Sequence, residues 1–335
     1  MVTGVTAAVS GEPGRLPRKL MLGLDIGGTK IAAGVVDPEG GVHGFVSAPT
    51  EPARGPDDGL ARLYELGRSA VTGSGASWDE IEGVGIGCGG PLDSEGGVLI
   101  APLHLDGWEG VPIVELASAV LARPTVLDND ATAAAAGEHR YGAGRGIRNM
   151  VYVTVSTGVG GGVVLDGRLH RGPTGNGGEL GHVTVDWHGR VCRGCGRRGC
   201  LEAYASGTSI AERAQEAGMA GATAADVVTG ARAGEEPASR VWAETCEALA
   251  CGIVSIANLF DPELVVIGGG VSRAGEQLLG PVRELVQAQA IEHAGHQVEV
   301  VLAALGDAVG VVGAAAIAYE RIAPPADVHR AVVGG

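Results

Sequence analysis

The chain has 335 residues, a hydrophobic fraction of 45% and a formal charge of −15, which allows one large core or two ordinary ones and excludes a disordered chain. The acidic balance also excludes a nucleic-acid-binding surface, because that needs a basic face. No apolar run reaches the ~18 to 20 residues of a membrane span, and Met1–Lys19 lacks the apolar centre of a secretory signal, so a disordered tail over 1–19 and a cytoplasmic protein are expected.

Apolar residues alternate at Leu22, Leu24 and Ile26 and again at Ile31, Ala33 and Val35, which predicts a strand, a glycine turn and a second strand. A P-loop is excluded, since its spacing is absent and no helix pattern follows the glycines. Gly27 and Gly28 let backbone N–H groups approach a phosphate, and Asp25 can hold a magnesium ion through water. An ordinary hairpin with an Asp in its turn accounts for the same residues. Residues 57–72 then read as a helix, 84–88 as a strand ending in the Gly89-Gly90 loop, 111–121 as a helix and 125–127 as a buried strand.

Asp128, Asn129 and Asp130 stand directly before an alanine run. The run is a strong helix former, and an Asp or Asn before it is the expected N-cap. Three polar residues exceed what one cap requires, so one carboxylate is a candidate base, with its pKa lowered by the helix N-terminus.

Residues 150–156 form another strand, followed by the Thr157-Gly158 turn, a second strand and a tight turn at Asp166-Gly167. This repeats the plan of the first forty residues. Two copies predict two similar lobes facing each other across a cleft, with both turns directed at one nucleotide. Helices are expected at about 203–217, 222–232, 236–259, 273–290 and 308–322, the last capped by Asp307. Strands are expected at 262–267, running into Gly268-Gly269-Gly270, and at 298–302.

Six cysteines in a long chain do not read as a disulfide framework. Cys88, Cys246 and Cys251 sit among small or apolar residues and read as buried thiols. Cys192, Cys195 and Cys200 crowd into nine residues that begin ten positions after His182 and lie just before Glu202, and they read with that histidine as soft metal ligands.

These residues together resemble the ROK family of bacterial sugar kinases and repressors. The resemblance is carried by Asp25-Ile26-Gly27-Gly28-Thr29, Asn129-Asp130, Thr157-Gly158, Glu179-Leu180-Gly181-His182, the cysteine segment through Glu202, and Gly268-Gly269-Gly270. It implies an α/β, two-lobed actin-like (RNase H-like) ATPase fold of duplicated βββαβα units with a cleft between the lobes. The N-terminal lobe would span 20–127 and regain a C-terminal helix at about 308–323. The C-terminal lobe would span 128–307 and include the metal-binding segment 182–200.

The activity implied is transfer of phosphate from ATP, with Mg²⁺, to the 6-hydroxyl of a hexose. Glucose is the first expectation, with N-acetylmannosamine, N-acetylglucosamine and kanosamine as alternatives. Asp130 falls at the family's catalytic base. Asn129, Glu179, His182 and Glu202 fall at sugar-binding positions, and the Gly89-Gly90 loop would close over the sugar. Asp25, Gly27, Gly28, Thr29, Lys30, Thr157, Gly158 and Gly268 to Gly270 fall in the nucleotide clamp.

His182, Cys192, Cys195 and Cys200 match the family's zinc ligands, a closed Cys₃His set of structural type. The spacing departs from the family's usual Cys-x-Cys-Gly-x-x-Gly-Cys by one added residue between the first two cysteines. The family's repressors carry a DNA-binding domain ahead of the kinase-like lobes, and only about twenty residues precede the first strand here. An enzyme that binds neither nucleic acid nor membrane is therefore expected. The resemblance further implies a homodimer or homotetramer.

Overall fold

The computed structural model describes residues 19–175, 177–291 and 298–323, so the expected tail over 1–19 lies outside the described residues except for Lys19. Two compact units emerge, one of 1–141 with 307–335 and the other of 142–306.

In the first unit, the alternation seen in the sequence produces β1 (Leu20–Ile26), paired antiparallel with β2 (Lys30–Val36), which in turn pairs with β3 (Val42–Pro49). Then come α1 (Gly55–Ser74), β4 (Ile81–Cys88), the short pair β5 (Leu92–Asp93) and β6 (Val98–Leu99), α2 (Ile113–Leu121), β7 (Thr125–Asn129) and α3 (Asp130–Tyr141). The sheet order is β3-β2-β1-β4-β7, with β1, β4 and β7 mutually parallel.

A strand's side chains alternate between faces, and β1 uses both. Leu20, Leu22 and Leu24 pack with Leu60 and Leu63 of α1 and with Ile113 of α2. Met21 points the other way, into a cluster with Val311, Ala315 and Tyr319. Gly85 makes a very close approach possible on that second face, since a Cβ there would lie 1.7 Å from the Ala314 carbonyl oxygen.

The second unit repeats the sheet order as β10-β9-β8-β11-β12. Its strands are β8 (Met150–Val155), β9 (Val159–Leu165), β10 (Arg168–Leu169), β11 (Leu264–Gly268) and β12 (Glu299–Leu302). Its helices are α4 (Glu202–Ala205), α5 (Gly207–Glu216), α6 (Ala224–Arg232), α7 (Glu236–Phe260) and α8 (Glu276–Gln289). Val151, Val153 and Val155 of β8 share a core with Leu249 and Ile253 of α7. Helix α7 has the length and apolar composition of a membrane span, although no run in the sequence stood out as one, and half of its most apolar window is buried inside the fold.

Three expectations are corrected. The boundary falls after Tyr141 rather than at 127, because α3 packs on α9 (Val309–Arg321) and stays with the first sheet. A Cβ on Gly313 would sit 2.3 Å from the Ala133 carbonyl oxygen, so the two helices are nearly in backbone contact. The helix expected over 203–217 is broken at Ser206, whose side chain accepts the Ser209 N–H and caps α5. Asp307 lies in a 3-10 turn, and the N-cap position of α9 is Ala308.

Candidate active site

The parallel register of the first sheet places its site residues side by side. Ile26 pairs with Cys88, and Cys88 with Asn129. The C-terminal ends of β1, β4 and β7 are therefore level, which is where ligands bind in open α/β sheets. That row brings together the Gly27-Gly28 turn, the Gly89-Gly90 loop, and Asn129 with Asp130. A Cβ on Gly89 would lie 3.9 Å from Asp130 Oδ2, and one on Gly90 would lie 3.5 Å from Asn129 Nδ2.

The turn is braced by Thr50, which the sequence did not single out. Its hydroxyl donates to the Gly27 carbonyl at 2.5 Å, and its N–H donates to the Thr29 carbonyl at 3.0 Å. Asn129 is the capping residue of α3, its Oδ1 accepting from the N–H groups of Ala131 and Thr132. Asp130 then occupies the first helical turn, exposed as a residue while its carboxylate is crowded by the surrounding protein.

The expected lowering of the Asp130 pKa is not found. The surrounding protein raises it, and the Ala131 N–H, the His104 side chain and its own N–H only partly offset that burial. Asp25 behaves similarly. Burial, reinforced by the Asp130 carboxylate and opposed by Lys30, pushes it up to about 7. The first residues of α9 close over it, since a Cβ on Gly310 would be 2.3 Å from Asp25 Oδ2.

The second unit carries a larger cavity, of about 790 Å³, lined in part by Ser156, Thr157, Gly207, Thr208, Gly270 and Arg232. Its turn is also braced. Ser156 N–H donates to the Gly158 carbonyl at 2.8 Å, Gly207 N–H to the Ser156 carbonyl at 2.7 Å, and Val159 N–H to Glu202 Oε2 at 3.0 Å. Of the three glycines after β11, Gly270 lines the cavity. Gly268 faces the Tyr152 ring, and Gly269, at φ +86°, lies against the Val155 carbonyl.

His182, Cys192, Cys195 and Cys200 converge, their ligand atoms all lying within 4.8 Å of one another. Cys195 and Cys200 sulfurs are 3.5 Å apart, and Cys192 Sγ is 3.7 Å from His182 Nδ1. Zn–S and Zn–N bonds of about 2.3 and 2.0 Å in a tetrahedron give edges of roughly 3.5 to 3.8 Å, so this donor set fits a zinc-sized ion. The added residue between Cys192 and Cys195 does not spread the cluster. The Cys192 carbonyl accepts the Gly196 N–H at 2.8 Å, and Gly196, at φ +71°, closes the turn.

With Nδ1 of His182 turned to the sulfurs, its Nε2 lies 3.8 Å from Glu179 Oε2, a carboxylate of the kind that orients a ligating ring. Glu202 joins the cluster to the glycine turn. Its Oε1 is 3.3 Å from Cys192 Sγ, while Oε2 holds Val159.

Residues 21–321 match the ROK family. The chain is 36% identical over 321 residues to a glucokinase of Thermotoga maritima, covering 92% of this chain and 99% of the relative. It is 39% identical over 297 residues to an N-acetylmannosamine kinase of Citrobacter koseri, covering 89% and 98%. The crystal structure of a ROK family glucokinase from Streptomyces griseus in complex with glucose and AMPPNP superposes with a TM-score of 0.77 at 34% identity, over 90% of this chain and 99% of that one. Both the two-sheet architecture and these matches give the actin-like ATPase fold. The chain belongs to the ROK family.

Proposed function

We propose that the chain is an ATP-dependent hexose kinase that moves the γ-phosphoryl group of ATP to the 6-hydroxyl of a hexose, glucose first, with Asp130 as general base. One observation carries the reading: level strand ends set the Asp130 carboxylate beside a glycine turn and a second glycine loop. Similarity to glucokinases supports both co-substrates.

In this reading Asn129, Gly89, Gly90, Glu179, His182 and Glu202 bind the sugar. Asp25, Gly27, Gly28, Thr29, Lys30, Thr157, Gly158 and Gly268 to Gly270 serve the nucleotide. The 6-hydroxyl proton passes to the Asp130 carboxylate as the oxygen bonds to the γ-phosphorus. The bond to the β-phosphate oxygen breaks with its electron pair left on ADP. The raised Asp130 pKa makes its carboxylate a stronger proton acceptor. Magnesium, held through Asp25, would neutralise phosphate charge. Zinc, held by His182, Cys192, Cys195 and Cys200, would be structural and would fix the segment that carries Glu179 and Glu202. A cytoplasmic homodimer or homotetramer completes the reading.

N-acetylmannosamine is the second candidate substrate, favoured by the 39% identity to a kinase for that sugar. The choice depends on cavity shape, where one group in an apolar pocket is worth only about 1 to 3 kcal/mol. A coupled ADP-release assay with Mg²⁺-ATP against a panel of hexoses and amino sugars tests both. Glucose is expected to give the highest kcat/KM. A higher value for N-acetylmannosamine would reassign the substrate. Tight sugar binding by calorimetry with no turnover on any sugar would contradict the kinase.

A further inference from the structure

His104 stands apart from every motif the function absorbs. A small cavity of about 30 Å³ lies between the Gly27-Gly28 turn and Asp130, and of its nine lining residues only Asp130 and His104 carry polar side chains. His104 stands directly on the turn, since a Cβ on Gly28 would come within 2.6 Å of His104 Cβ. Its loop is anchored on both sides. Leu103 N–H donates to the Gly90 carbonyl at 3.2 Å, while Leu105 and Trp108 are 2% and 1% exposed in the core. The imidazole is left exposed between these anchors. Asp130 is the carboxylate that shares this cavity with it, and His104 offsets part of the burial felt by Asp130.

An anchored N–H donor between a phosphate-accepting turn and the base is placed where negative charge gathers on a phosphoryl group in flight. We propose that His104 is a further catalytic residue, donating a ring N–H to a non-bridging oxygen of the transferred phosphoryl group. This rests on the kinase reading with Asp130 as base. The bonds made and broken are those given above: O6–P forms, the bond from phosphorus to the ADP oxygen breaks, and the proton goes to Asp130. His104 only stabilises the charge between the two states.

Three substitutions separate donor from shape. His104→Ala and His104→Phe both lose the N–H, the second keeping a ring over Gly28, and His104→Gln keeps an N–H. With ATP and the best sugar of the panel, Ala and Phe are expected to lower kcat by about 30- to 100-fold, as loss of one oxyanion donor does. Gln should stay within about fivefold of wild type, and sugar Kd by calorimetry should change less than about threefold in all three. Wild-type kcat in His104→Phe overturns the proposal. So does an equal fall in all three accompanied by weakened sugar binding, which would make the residue a shaper of the sugar site. Asp130→Asn runs alongside, because wild-type turnover in that variant overturns Asp130 as the base on which this step rests, whereas a His104 failure with Asp130→Asn inactive overturns this step alone.

Discussion

The two units repeat one sheet and place different chemistry on it. In the first, Ile26 pairs with Ile31 across a four-residue turn, and in the second Val155 pairs with Val159 across three. One position before the turn the first unit has Asp25 and the second has Thr154. Acid groups gather at the first turn, where burial and then the Asp130 carboxylate make Asp25 harder to ionise. The second turn carries no such pair and is instead braced from outside by Glu202, which reaches it from the cysteine cluster. The same frame thus carries an acidic pair at one turn and, at the other, a brace from a Cys/His cluster.

The largest effect should come from breaking the first frame alone. Gly85→Ala would drive a methyl into the Ala314 carbonyl of α9, and such overpacking against backbone should cost about 3 kcal/mol or more. Chemical denaturation should show the first unit unfolding early while the second keeps its midpoint. A single unshifted transition would contradict the close packing of α9.

The next test addresses the second frame. Purified protein should carry one zinc per chain, and Cys200→Ser should lose it and lower Tm by several degrees, given the folding free energy such sites supply. Through Glu202 the loss should also weaken nucleotide binding. Metal-free wild-type protein with unchanged Tm and affinities would remove the cluster from the account.

A smaller effect belongs to Asp25. Its pKa of about 7 in the fold lies above the ordinary 3.8, so the folded state binds more protons between those values. Stability therefore falls as pH rises from about 4 to about 7 and stays reduced above that. In metal-free buffer Asp25→Asn should raise Tm at pH 8 and leave it unchanged near pH 4. An equal change at both pH values would show that the carboxylate is not buried as described.

Much of this was legible in the sequence because it is local. Period-two alternation marked β1, β2 and β8, glycines marked both turns, and close cysteine spacing marked residues that converge. Asn129 and Asp130 stood out because three polar residues before an alanine run exceed one cap. What escaped depends on distant partners. Thr50 reaches Gly27 from beyond β3, and His104 sits over Gly28 through a loop whose apolar anchors look like any others. The boundary at Tyr141 follows from small residues of α3 and α9 meeting, and no pattern within either helix announces that. The sign of the Asp130 pKa was missed for the same reason: the helix terminus is visible in sequence, and the crowding that outweighs it is not.

The most direct test of the central claim is Asp130→Asn, comparing single-turnover phosphoryl transfer with glucose affinity by calorimetry. Removing the base should slow transfer by about 10²- to 10⁴-fold, while glucose Kd stays within about threefold of wild type. Transfer within tenfold of wild type would contradict the account, because the carboxylate beside the first glycine turn would then not be the group that takes the proton.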